Sequence, residues 1–163
     1  MNNYLSVDPS GSGTTGCVFY QTQKKTYQFF SFTSKNWQEH FSRLRQLCEE
    51  KQVTVLVYEN TNFIYSRQFA GSVSLLKLIG AIESLKYPFS FLRQIDNVLV
   101  KQVKDFYRKV IQGTVIVPQL ERKIGRGGGW FFAQEKINLH QLDALLLLKV
   151  YLAQKKKSVN GAL

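Results

Sequence analysis

Asp8, Glu59, His140 and Asp143 are the side chains whose types and spacing point to chemistry. Asp8 closes a short apolar run, Tyr4-Leu5-Ser6-Val7, and leads into the turn Pro9-Ser10-Gly11-Ser12-Gly13. Glu59 closes a second run, Val53-Thr54-Val55-Leu56-Val57-Tyr58, where an unpaired charge is costly. His140 and Asp143 stand three apart at the head of an apolar helical pattern, so they share one face. Carboxylates at strand ends suit hard divalent cations, Mg²⁺ or Mn²⁺, which keep open positions for phosphate oxygens. A neutral imidazole can ligate a metal or handle protons. The chemistry suggested is metal-assisted attack on a phosphodiester. Each residue also has a plainer reading: Asp8 as a turn residue, Asp143 as a helix-face acid, His140 as a cap or core histidine.

Positioning these groups requires particular elements. Residues 4–8, 14–20 and 26–32 read as strands from their β-branched and aromatic content, with short separators that suit antiparallel hairpins. Ser34 or Asn36 caps a helix to about Lys51, with Trp37, Phe41, Leu44 and Leu47 or Cys48 on its inner stripe. The strand at 53–59 follows a helix, so it can pair parallel with an earlier strand. Residues 66–86 form the longest helical pattern, in which Phe69, Val73, Leu76, Ile79 or Gly80, and Leu85 make one stripe. Leu75, Leu78 and Ile82 widen it, which fits either a fully buried helix or a dimer seam on that outer side. Residues 88–95 read as a fifth strand, 98–112 as a basic helix, and Asn138 caps a last helix to about Gln154. The 155–163 tail is basic and expected to fray. The order predicts one α/β domain over 1–154, a five-stranded mixed sheet (an antiparallel meander, then parallel strands) flanked by helices.

Charge narrows the partner. The net charge is +11 over 163 residues, with 16 Lys and Arg against 6 Asp and Glu after residue 60. Such a field favours a polyanion. Lys101, Lys104, Arg108 and Lys109 follow helical spacing, which suits a stripe of phosphate contacts or a solvated face. Arg122-Lys123-Ile124-Gly125-Arg126-Gly127-Gly128-Gly129-Trp130 offers charge at Arg126 and a stacking plane at Trp130, as a DNA-contacting loop or a plain connector. It lacks the Lys-Ser/Thr of a phosphate-binding P-loop. Cys17 and Cys48 read as reduced thiols in or near the core. No signal peptide is visible at the N-terminus, and the longest apolar run, 144–148, is too short to span a bilayer. The expected setting is cytoplasmic and nucleoid-associated, in a bacterium or phage, with no membrane partner.

Three stretches resemble a known family. Val7-Asp8-Pro9, followed by glycines and Thr15-Gly16, resembles the first motif of RuvC-like Holliday junction resolvases, within the RNase H-like (retroviral integrase) superfamily. Val57-Tyr58-Glu59-Asn60 is similar to the second acidic motif. Asn138-Leu139-His140-Gln141-Leu142-Asp143-Ala144-Leu145 resembles the last, in which a helix presents Asp or His and, three residues on, Asp. The resemblance covers about residues 3–153, with a first turn of Asp-Pro-Ser-Gly in place of the commoner Asp-Pro-Gly and a poor match over 101–130 beyond Lys101-Gln102-Val103-Lys104. It implies an RNase H-like fold and a homodimer that cleaves four-way DNA junctions by two symmetric nicks. It also implies that Asp8, Glu59, His140 and Asp143 hold two Mg²⁺ ions, replaceable by Mn²⁺, with Asp8 between them. An aromatic that wedges the junction centre would be Phe63 or Tyr65, which otherwise read as core rings. Rival readings are a nuclease of the same fold acting on flaps or RNA-containing substrates, and a non-catalytic nucleic-acid-binding module. An actin-like ATPase would need a second such lobe.

Overall fold

A computed structural model describes residues 2–60, 69–86 and 89–160, of which 69–72 and 159–160 are described by backbone alone. Strands β1 (Asn3–Asp8), β2 (Gly13–Gln21) and β3 (Thr26–Ser34) form the antiparallel meander. Helix α1 (Trp37–Glu50) starts where the Asn36 side chain accepts the Gln38 N–H at 3.0 Å, and it leads to β4 (Val55–Asn60). Helix α2 (Phe69–Ser84), β5 (Gln94–Leu99) and α3 (Val100–Ile111) follow. The strand order is β3-β2-β1-β4-β5, with β4 parallel to both β1 and β5. This is the expected five-stranded mixed sheet.

Alternation along the strands decides which side each residue serves. Leu5 and Val7 of β1, Cys17 and Phe19 of β2, and Leu56 and Tyr58 of β4 pack with Leu44 and Cys48 of α1 and Leu78 and Ile82 of α2. Both cysteines are free and buried there. Val18, Val55, Val57 and Val98 face the other way, against the last helix, α4 (Leu139–Asn160). Asp8 and Glu59 share the parity of Ser6 and Val57, so they face α4 too. Two polar ties fix the layers: Tyr58 donates to Glu83 of α2 at 2.6 Å, and the buried Ser6 hydroxyl donates to the Ala144 carbonyl of α4 at 2.7 Å.

The structure departs from the sequence expectation in several places. A second sheet, β6 (Leu120–Lys123), β7 (Gly129–Phe132) and β8 (Glu135–Ile137), occupies the region read as a loop. Its Trp130 and Phe132 cover the outer side of α4, which explains why Ala144 to Leu148 are all buried: the helix is clasped between two sheets and α3. The fifth strand is 94–99 rather than 88–95. The apolar Phe89 and Leu92 instead plug the α1–α2 core ahead of it, while Asp96 in the edge strand accepts the Tyr151 hydroxyl. Helix α2 is turned around from the expected orientation: Leu75, Leu78, Ile82 and Leu85 are core, whereas Val73 (41%) and Leu76 (56%) are exposed. Helix α4 runs on to Asn160, past the expected end near Gln154.

Candidate metal-binding centre

Asp8 ends β1 and Glu59 lies near the end of the parallel β4, so register alone sets the two carboxylates side by side. The third acid arrives with α4. A reciprocal cap starts that helix: Asn138 Oδ1 accepts the Gln141 N–H at 2.9 Å, and Gln141 Oε1 accepts the Asn138 N–H at 3.0 Å. Gly16, which pairs with Asp8 across β1–β2, lies directly under this first turn. A Cβ on Gly16 would overlap the His140 carbonyl, so only glycine lets the helix settle this close to the sheet. His140 Nδ1 and Asp8 Oδ2 then meet at 2.9 Å, with the imidazole N–H the donor wherever Asp8 is ionised.

The electrostatics of the cluster are those of too many acids in one dry corner. Burial, and then the Asp143 charge, push Asp8 up to about 7, partly offset by its hydrogen bond with Glu59. Glu59 is pushed up to about 8 by burial, by the Asp8 charge and their shared hydrogen bond, and by Asp143; Lys104 pulls it back. Asp143 is raised by burial against the opposing pull of His140 and Lys104. Among the described residues, no three His, Cys, Asp or Glu side chains stand with donor atoms already gathered around one point. Asp8 is instead engaged by His140 and Glu59. The donor set still fits a hard divalent cation: three half-buried carboxylates and a half-exposed imidazole, with their mutual charge offset only in part by His140 and Lys104.

The three sequence-derived acids and the histidine therefore meet. The DNA-facing assignments fare unevenly. Lys101, Lys104 and Arg108 are exposed on α3, but Arg108 is tied to Asp105 at 3.1 Å, and Lys104 stands next to the carboxylates rather than along a remote stripe. Trp130 is corrected. It is 8% exposed, packed in the core beside Tyr107 with Arg122 over its ring, and offers no stacking plane. Arg126 is exposed in the β6–β7 turn. Because Trp130 pairs with Ile137, that turn lies beyond the end of β8 that leads into α4. Ile124, 92% exposed there among cations, escaped the sequence reading because an apolar residue in a basic loop gives no periodic signal. Phe63 and Tyr65 lie outside the described residues.

His40 was also missed. It is wholly buried, and its Nε2–H donates to the Ser34 carbonyl at 3.0 Å. Its Nδ1 then accepts from the Thr15 hydroxyl at 2.9 Å, and Thr15 Oγ1 accepts the Ser10 N–H at 3.0 Å. This chain of bonds holds the turn that follows Asp8. The signal was legible, for His40, Leu44 and Cys48 repeat every fourth residue along α1.

No protein-family model matches the chain, and no curated protein matches it in sequence. Solved structures do. T. thermophilus RuvC in complex with a Holliday junction substrate superposes with a TM-score of 0.66 at 10% identity, over 97% of each chain. A second structure of Thermus thermophilus RuvC gives 0.59 at 12% identity, over 96% of each chain. The chain has the fold of these RuvC-like, RNase H-like proteins.

Proposed function

We propose that this protein is a metal-dependent endonuclease of RuvC-like type that cuts branched DNA. The observation that carries the reading is the gathering of Asp8, Glu59 and Asp143, each half-buried, with His140 on Asp8 and the exposed Lys104 beside them. A site built only to bind phosphate has no use for three acids. The likeness to RuvC bound to a Holliday junction supports a four-way junction as the substrate.

Asp8, Glu59, Asp143 and His140 would hold Mg²⁺ or Mn²⁺. Two such ions supply Lewis-acid stabilisation of the charge that develops on the phosphate oxygens. The chain's own groups do the rest. Glu59 and Asp8 share a proton near neutrality, which would have to leave for both carboxylates to ligate. His140 spends Nδ1–H on Asp8, which leaves Nε2 free to ligate or to take a proton from the attacking water. Lys104, beside the acids, would hold a phosphate, and Lys101 and Arg126 the flanking backbone. Two symmetric nicks require two sites, and a homodimer supplies them. The exposed Val73 and Leu76 of α2 are the surface we assign to that contact.

A nicking assay on matched junction, flap, duplex and RNA–DNA hybrid substrates tests the reading. The expected result is paired cuts in the junction with Mg²⁺ and none in chelator. Asp8→Asn or Glu59→Gln should lower the rate by on the order of 100–1,000-fold while junction affinity stays nearly intact. Wild-type protein that binds junctions but cuts none of the four substrates, in either metal, would leave only a binding module of this fold.

A further inference from the structure

At the end of the main sheet away from Asp8 lies a groove of about 820 Å³ between the strands and the second half of α4. Along β1, Tyr4 is separated from Asp8 by four residues, about 13 Å at strand rise. Tyr4, Tyr20 and Tyr27 stand on three adjacent strands, in register, and form one aromatic wall. Tyr20 and Tyr27 stack at 4.5 Å, with Tyr4 next in the row at 6.3 Å from Tyr20. Lys149, Lys155 and Lys156 line the opposite side, and among the described residues no Asp or Glu lines the groove.

Lys149 is the telling residue. It projects from the most apolar stretch of α4 and is half buried, yet its hydrogen bond goes to a neutral group, the Tyr27 hydroxyl, at 2.7 Å. No carboxylate of the described residues pairs with it. Burial holds its pKa below the usual lysine range, the mark of an ammonium whose charge is poorly compensated. Lys155 is shared with Asp96 at 3.5 Å and lies over the Tyr151 ring, whereas Lys156 is exposed. The groove thus combines a half-buried ammonium met only by the hydroxyl and ring of Tyr27, an exposed cation at the rim and a wall of stacked tyrosine rings. Its volume is that of a small-molecule site. An inorganic anion would satisfy the lysines and leave the wall unused; an uncharged ring would do the reverse.

We propose that this groove binds a nucleoside monophosphate unit, with the phosphate against Lys149 and Lys156 and the base against the tyrosine wall. The unit can come from a free nucleotide or from the phosphorylated end of a DNA strand, and the chemistry is the same. This site is separate from the acidic centre, so it stands whether or not the protein cuts DNA.

Isothermal titration of the wild-type chain with thymidine 5′-monophosphate, thymidine, inorganic phosphate and a 5′-phosphorylated oligothymidylate tests it. Saturable binding of the nucleotide, at least about tenfold tighter than either half alone, is expected. Lys149→Met keeps the side-chain volume and should cost the nucleotide at least about tenfold in affinity while leaving thymidine unaffected. Lys156→Glu, at an exposed position where folding is not at issue, should weaken it as well. Tighter binding of the oligonucleotide assigns a strand end, and binding of the mononucleotide alone assigns a free nucleotide; either supports the site. No saturation up to about 10 mM, phosphate bound as tightly as nucleotide, or affinity unchanged in both variants would overturn the proposal.

Discussion

At the scale of single residues, the raised carboxyl groups tie stability to pH. Asp8 and Glu59 bind protons more tightly in the folded chain than at their ordinary values of 3.8 and 4.5. Below about pH 4 both states are protonated, and the stabilisation from this difference is fully present. It is lost as pH rises through about 7 and about 8, where the folded protein must ionise acids that burial and mutual repulsion keep neutral. For one shared proton, the part lost between about pH 5.5 and about pH 7 is about 2 kcal/mol, or on the order of 5 °C in Tm. Metal-free protein should therefore melt several degrees lower at pH 8.5 than at pH 5.5. Glu59→Gln should flatten that slope, and Mg²⁺ should raise Tm most at the alkaline end. Calorimetry across that range checks it, and a Tm that rose with pH in chelator would count against the acidic cluster as described. The same scale shows why the four metal-type residues were legible from sequence. Strand alternation and helical spacing fix which way Asp8, Glu59, His140 and Asp143 face. His40 and Lys104 were harder to place because their roles depend on what α1 and α3 pack beside.

Elements were legible where one face differs from the other, and obscure where both faces are alike. Helix α1 has a polar side, and its cap at Asn36 and its buried stripe follow from the pattern. Helix α2 is apolar nearly all round, so composition could not choose its rotation. Packing against β4 and α1 chose Leu75, Leu78 and Ile82. The strands of the second sheet are three or four residues long, below the length at which alternation shows. Trp130 was misread for that reason, since its place on a short strand turns it inward. The rotation of α2 makes a prediction about assembly. Leu76→Glu, with or without Val73→Glu, should give a stable monomer at micromolar concentration by sedimentation, with junction nicking lost or reduced to single cuts. Ile82→Ala on the inner side should instead cost about 2–5 kcal/mol of stability through a cavity. A wild-type chain already monomeric with and without DNA would remove the dimer from the account.

Across the whole molecule, charge and chemistry are gathered at one end of the sheet. The carboxyl ends of β1 and β4 and the starts of α3 and α4 all open there. Neutralising Lys101 and Arg126 together, each to Ala, should weaken junction binding for all sequences alike. It should also lower the slope of log affinity against log salt by about 2, since each phosphate contact releases its counterion. Anisotropy titrations at several salt concentrations measure this, and an unchanged slope would place both side chains outside the DNA surface. Gly16 adds a consequence in time rather than space. The contact it permits joins Asp8 to His140, which lie 132 residues apart in the chain. During synthesis Asp8 and Glu59 emerge well before the helix that carries His140 and Asp143. The cluster therefore assembles only once α4 has left the ribosome and seated on the sheet, so its formation waits on the contact that Gly16 permits.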